Sequence, residues 1–175
     1  ALVAAWGGTA AEIMSQWQER QEPRHPVLRL AWLHRYNREI DGRNRELLQR
    51  GLLSGGEQKN LELLNAYRES LGLRRLQLDA RLVQSARRHS KEMNELNYLS
   101  HFSPKAAHRT FQQRIILAGY PEPGGENAAV INKDGQRVFF GWLESPSHHR
   151  AMAYPTFTAV GIGIWFIPQV WFLVL

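Results

Sequence analysis

The chain has 175 residues, 43% of them hydrophobic, which is enough to build a core and too much for a disordered chain. Its 22 Lys and Arg against 16 Asp and Glu leave a net charge of +6, which suits anionic partners such as envelope polymers or acidic lipid, and equally suits a plain soluble surface. Cysteine is absent, so disulfides, thiolate catalysis and Cys-rich zinc sites are excluded, and no apolar run approaches the roughly 20 residues of a membrane-spanning helix.

In chain order, Ala1-Leu2-Val3-Ala4-Ala5 is compatible with the tail of a signal or anchor segment but is too short to establish one. Ala10 to Gln21 reads as a short helix capped by Thr9 and ended by Pro23. Pro26 then opens a second helical stretch, in which Leu30, Leu33, Ile40, Leu47 and Leu48 recur at helical spacing and Asp41-Gly42 offers a break. Arginines line its other face; with no base-reading motif beside them they read as a solvated face, and no nucleic-acid partner is expected. Ser54-Gly55-Gly56 is a candidate boundary, dividing a helical extension (residues 1–56) from a main domain (residues 57–175). Trp6, Trp17 and Trp32 favour an extension that packs on the main domain, the alternative being a docking element for an envelope partner.

Leu61, Leu64, Ala66 and Leu71 mark a third helix closed by Gly72. Asp79 caps an amphipathic helix carrying Leu82, Ala86, His89, Met93 and Leu96, with His89 as a core histidine. Thr110 to Ala118 forms another helix, closed by Gly119. Ala128 to Ile131 then reads as a strand, and Val138 to Leu143 as one or two helical turns. The last strands, Ala159 to Ile167 and Val170 to Leu175, meet at a hairpin over Pro168-Gln169, and their near-continuous apolar character implies burial on both faces. The order of helices and strands describes an α+β layered domain. Gly161 and Gly163 imply a close approach to the sheet, either by the helix bearing His148 or as a bulge or tight helix contact.

Three segments carry candidate chemistry: Ser100-His101-Phe102-Ser103-Pro104, Gly125-Glu126-Asn127, and Ser145-Pro146-Ser147-His148-His149-Arg150. Two imidazoles and a carboxylate from separate segments suit a divalent metal such as zinc, or an acid/base set in which Glu126 orients a ring. His25, His34, His108 and His149 read as surface residues.

These segments, with Leu64-Asn65-Ala66-Tyr67-Arg68, Leu76-Gln77-Leu78-Asp79, Ala118-Gly119-Tyr120, Pro155-Thr156-Phe157 and Val160-Gly161-Ile162-Gly163, resemble in order and spacing the CAP superfamily. That superfamily comprises cysteine-rich secretory proteins, antigen 5 and plant pathogenesis-related proteins; the likeness is to its cysteine-free bacterial, SCP-like branch. The resemblance implies an α-β-α sandwich with a small central antiparallel sheet and a groove, in a protein that is secreted, periplasmic or bound to the cell envelope. His101 matches the family's first histidine, Glu126 its first acid and His148 its second histidine. The second acid departs from the pattern: Glu144 is near, but Ser145 occupies the expected offset from Trp142. Ala151 likewise stands where relatives commonly carry asparagine.

The resulting site expectation places His101 and His148 as metal ligands, Glu126 and Glu144 as catalytic carboxylates, and Asn127, Ser145 and His149 in the groove. No cofactor is required, although zinc is possible chemistry. Whether the protein is an enzyme is left open. One reading is a module that binds a small hydrophobic ligand, a peptide or a cell-envelope glycan. The other is a zinc-dependent hydrolase using His101, His148 and Glu126.

Overall fold

The structure is a computed structural model that describes residues 21–130, 135–166 and 169–174. The helix expected over Ala10 to Gln21, with Trp6 and Trp17, therefore lies outside the described residues up to residue 20.

Helix α1 (Pro26–Gln49) begins with proline at its first turn and runs unbroken. The break expected at Asp41-Gly42 is absent, because Asn37, Ile40 and Asn44 on one continuous face are buried against the chain between residues 75 and 78. Asn44 donates to the Leu76 carbonyl at 3.0 Å and accepts from the Leu78 N–H at 2.7 Å. Arg75 reaches back to Asp41 at 2.8 Å. Trp32 is buried and stacks on Tyr36, as packing of this helix requires.

Helix α2 (Gly55–Ser70) starts in a capping box. Ser54 caps the Glu57 N–H, and Glu57 accepts from the Ser54 N–H at 2.8 Å. Gly55 and Gly56, at the candidate boundary, form the first turn of this helix. Strand β1 (Gln77–Leu78) and helix α3 (Ala80–Glu95, capped by Asp79) follow. A short 3-10 turn (Ala106–His108) precedes helix α4 (Phe111–Leu117), which opens in a second capping box of Thr110 and Gln113. Then come β2 (Glu126–Val130), α5 (Gly135–Glu144), α6 (Pro146–Met152), β3 (Ala159–Phe166) and β4 (Gln169–Val174).

The sheet order is β1-β3-β4-β2. Pairing is antiparallel throughout except for the two-residue β1, which runs parallel to β3. Gln169 pairs with Phe166 and belongs to the strand rather than to the turn; Pro168, Ile167, Ile131 and Leu175 lie outside the described residues.

Alternation along β3 builds the layers. Val160, Ile162 and Ile164 join a core with Leu61, Leu64, Val138, Phe139, Trp142 and Met152 from α2, α5 and α6. On the other face Leu82, Ala86 and Met93 of α3 pack with Ile115 of α4. Gly161 and Gly163 fall on that second face, and a β-carbon there would lie 2.1 Å from the Leu82 carbonyl carbon or 2.3 Å from the Arg87 nitrogen. The group that needs these glycines is therefore the backbone of α3, not the helix bearing His148. The result is an α-β-α sandwich, with its sheet covered by helices on both faces.

Candidate functional site

The site forms where the loop after α3, the start of β2 and the start of α6 meet. His101 is delivered by the turn following α3, and its side chain remains 46% exposed. The Glu126 side chain, at the first position of β2, is only 2% exposed. His101 Nδ1–H donates to Glu126 Oε1 at 2.8 Å, so the carboxylate sets the tautomer, and Nε2 meets no partner among the described residues.

A buried carboxylate needs more than one imidazole to hold it, and the missing partner is Arg114 on α4. Its Nη2 donates to both Glu126 oxygens, at 3.0 and 2.8 Å, and to the His101 carbonyl at 3.1 Å. Its Nη1 donates to the carbonyls of His108 and Arg109 at 3.2 and 3.1 Å. One buried guanidinium thus fixes the acid, the histidine's backbone and the end of the intervening loop. Sequence reasoning did not single out Arg114; the available signal was an arginine beside Ile115 on the inward face of a short amphipathic helix.

His148 sits half-buried in the first half of α6. Burial, and secondly the nearby charge of His101, hold its pKa below the ordinary value. The two rings therefore sense one another. Asn127, buried beside Glu126 in β2, donates to the His148 carbonyl at 3.1 Å, so it pins α6 to the sheet rather than facing the groove. The far end of α6 is held by Arg68, which is fully buried and donates to the carbonyls of Met152, Tyr154 and Phe157 at 2.8, 2.9 and 3.3 Å. Burial, together with the charge of Arg74, lowers its pKa to about 10.

The remaining candidates separate. Glu144 is exposed at the last position of α5. Ser145 occupies the N-cap of α6 without capping it; its hydroxyl lies 3.4 Å from that of Ser147. His149 is half-buried, and its Nε2 bonds the Tyr67 hydroxyl of α2, so it is not a surface residue. His108 is likewise not a free surface histidine: its Nε2 meets Glu92 Oε2, while Tyr98 and Ser103 donate to Glu92 Oε1. Burial pushes the Glu92 carboxyl up, but hydrogen bonds from Ser103, Tyr98 and His108 outweigh it and hold the pKa at about 2. His89 is buried as expected, and burial and the charge of Arg114 lower its pKa to about 4.

Beside His101 lies a cavity of about 420 Å3 lined by His101, Phe102, Thr110, Phe111, Gln112 and Glu126. Phe102 is 60% exposed there, a large apolar surface left in solvent. The donor set does not fit a catalytic zinc, which takes three protein ligands. Both Glu126 oxygens are occupied by Arg114 and His101, and two imidazoles remain. Among the described residues no three His, Cys, Asp or Glu side chains are placed to share one ion.

Comparison with known proteins agrees with this architecture. Residues 61–174 match the family described as CAP: Cysteine-rich secretory protein family. The chain is 35% identical over 111 residues to the uncharacterized protein YkwD of Bacillus subtilis, aligning 63% of this chain with 43% of that protein. It is 33% identical over 117 residues to the uncharacterized membrane protein YlbC of the same organism, aligning 62% of this chain with 31% of that protein. The chain thus spans less than half the length of either relative. Among solved structures, an extracellular protein of Bacillus anthracis containing an SCP domain superposes with a TM-score of 0.64 at 30% identity, over 69% of this chain and 40% of that one. An outer surface protein of Borrelia burgdorferi shares the fold, with a TM-score of 0.57 at 21% identity over 68% of this chain and 89% of that one. Matched along two thirds of its length, and folded as the sandwich that those relatives share, the chain belongs to the CAP family of cysteine-rich secretory proteins.

Proposed function

We propose that this protein is a secreted or envelope-associated binding module whose groove at His101 takes a ligand with an apolar body and a hydrogen-bonding head group. One observation carries the reading: Glu126 is neutralised by Arg114 and turned toward His101, in the wall of a cavity that also exposes Phe102. A carboxylate held in a two-pronged ion pair is a poor general base, because protonating it breaks that pair. What the groove offers is instead recognition: His101 Nε2 for a polar group, and Phe102 and Phe111 for an apolar one. Lipids, amphipathic peptides and glycans with an apolar face meet that description. Among the described residues no helix is long and apolar enough to cross a membrane. The extracellular location of the B. anthracis relative supports export.

Incubation of the purified protein with total lipid extract, a peptide library and a glycan library, followed by native mass spectrometry, tests the reading. A bound species whose retention falls at least tenfold in both His101→Ala and Phe102→Ala is the expected result. A blank across all three libraries, or turnover of peptides or esters that disappears in His101→Ala, overturns it.

A further inference from the structure

A second cavity, of about 250 Å3, lies between α3 and α4 and is lined by Ser85, Arg88, His89, Glu92, His108, Arg114 and Leu117. Its polar wall sets donors from Arg88, Arg114 and Ser85 beside the rings of His89 and His108 and one carboxylate, Glu92. Arg114 is 6% exposed; its Nη1 and Nη2 are taken up by carbonyls and by Glu126, but its Nε–H is buried without an acceptor. A buried N–H in that condition is rare in native structures and wants an oxygen. Arg88 is exposed at the same cavity and forms no ion pair among the described residues. Ser85 adds a hydroxyl.

The one carboxylate in the wall is already committed. Glu92 accepts from Tyr98 and Ser103 through Oε1 and from His108 through Oε2, and Lys105 Nζ stands 3.8 Å away as a countercharge. It therefore offers little to a cation. The Arg114 Nε–H, the Arg88 guanidinium and the Ser85 hydroxyl are donors that suit a ligand that accepts, and a volume of about 250 Å3 limits it to a small molecule.

We propose that this cavity is a binding site for a small oxyanion, a carboxylate or phosphate group, held by Arg114 Nε–H, Arg88 and Ser85. The site is coupled to the groove, because the guanidinium whose Nε–H would take the anion holds Glu126 and the His101 carbonyl through Nη2. The proposal stands apart from the groove reading, since it concerns a different cavity and a different ligand.

The test uses the full chain labelled with 15N, titrated with inorganic phosphate and, separately, with sodium acetate, ionic strength being fixed with sodium chloride. The Arg114 Nε–H resonance and the ring of His101 are followed by NMR. The expected result is a saturable shift of the Arg114 resonance with one ion or both, weakened at least fivefold in Arg88→Gln, with the His101 ring moving in step. A response to phosphate alone, or to acetate alone, supports the site and identifies its head group. No saturable shift with either ion overturns the proposal, and so does an affinity unchanged in Arg88→Gln. Movement of Arg114 without His101 overturns the coupling.

Discussion

Arg114→Met is the perturbation that the site geometry constrains most tightly. The side chains of Arg114 and Glu126 are 5% and 2% exposed, so the pair is buried and its partners have no water to fall back on. Removing the guanidinium leaves a buried carboxylate with His101 as its remaining hydrogen-bond partner among the described residues, and takes a donor from three carbonyls. Breaking a buried pair from one side costs about 3–5 kcal/mol. Glu126→Gln in the same background removes the uncompensated charge and should return about 2 kcal/mol of that loss. For a chain of this size each kcal/mol is worth about 2–4 °C, so the single variant should melt about 10 °C lower. Urea unfolding at pH 7 reads the loss as a lower midpoint at unchanged slope. A single variant that loses under about 1 kcal/mol, as an exposed pair would, shows that the pair is not a buried anchor. So does a double variant no more stable than the single one.

Gly163→Ala drives a β-carbon to within 2.3 Å of the Arg87 nitrogen and should cost about 3 kcal/mol or prevent folding, as read by thermal melting. Gly42→Ala is its opposite: nothing lies within 4 Å of the added carbon in the middle of α1, so the same melt should show a gain of about 0.5–1 kcal/mol. Glu92 titrates at about 2 when folded against an ordinary 4.5, so its stabilisation is fully present above about pH 4.5 and is lost as pH falls through about 2. That contribution is about 3 kcal/mol, and Glu92→Gln should flatten stability over the same window. His89, held at about 4 against 6.5, works in the same direction between those two values, because the unfolded chain takes up the proton first. Deleting residues 1–49 strips Asn44 from the buried Leu76 carbonyl and Leu78 N–H and should lower the melting temperature by several degrees; an unchanged melt would make α1 a separate module.

The fold was legible where local chemistry speaks: Asp79 as a cap, Gly72 and Gly119 as stops with positive φ, and the apolar run of Ala159 to Phe166 as a strand. Gly42 was a candidate break that α1 does not show, and the approach to Gly161 and Gly163 stood open between the helix bearing His148 and a bulge or tight helix contact, of which the structure shows the tight helix contact, because a glycine's neighbour is a tertiary fact that its own segment does not carry. Within the site, His101 and Glu126 were visible as motif residues and do meet. What joins them was not, since Arg114 is charged and charged residues are ordinarily assigned to solvent. His108 and His149 were taken for surface residues for the same reason: their partners, Glu92 and Tyr67, lie 16 and 82 positions away in the chain. Metal chemistry at His101 and His148 looked reasonable while Glu126 was thought available, and the two-pronged bond from Arg114 removes it from that set.

A binding groove of the kind proposed retains its ligand and leaves it unchanged. After incubation with total lipid extract, the material bound to the wild-type protein can be released and weighed by mass spectrometry beside the input. An input species recovered at its original mass and absent from His101→Ala is the expected result. Recovery of cleaved fragments, formed by the wild type and missing from His101→Ala, would make the groove a catalytic site instead.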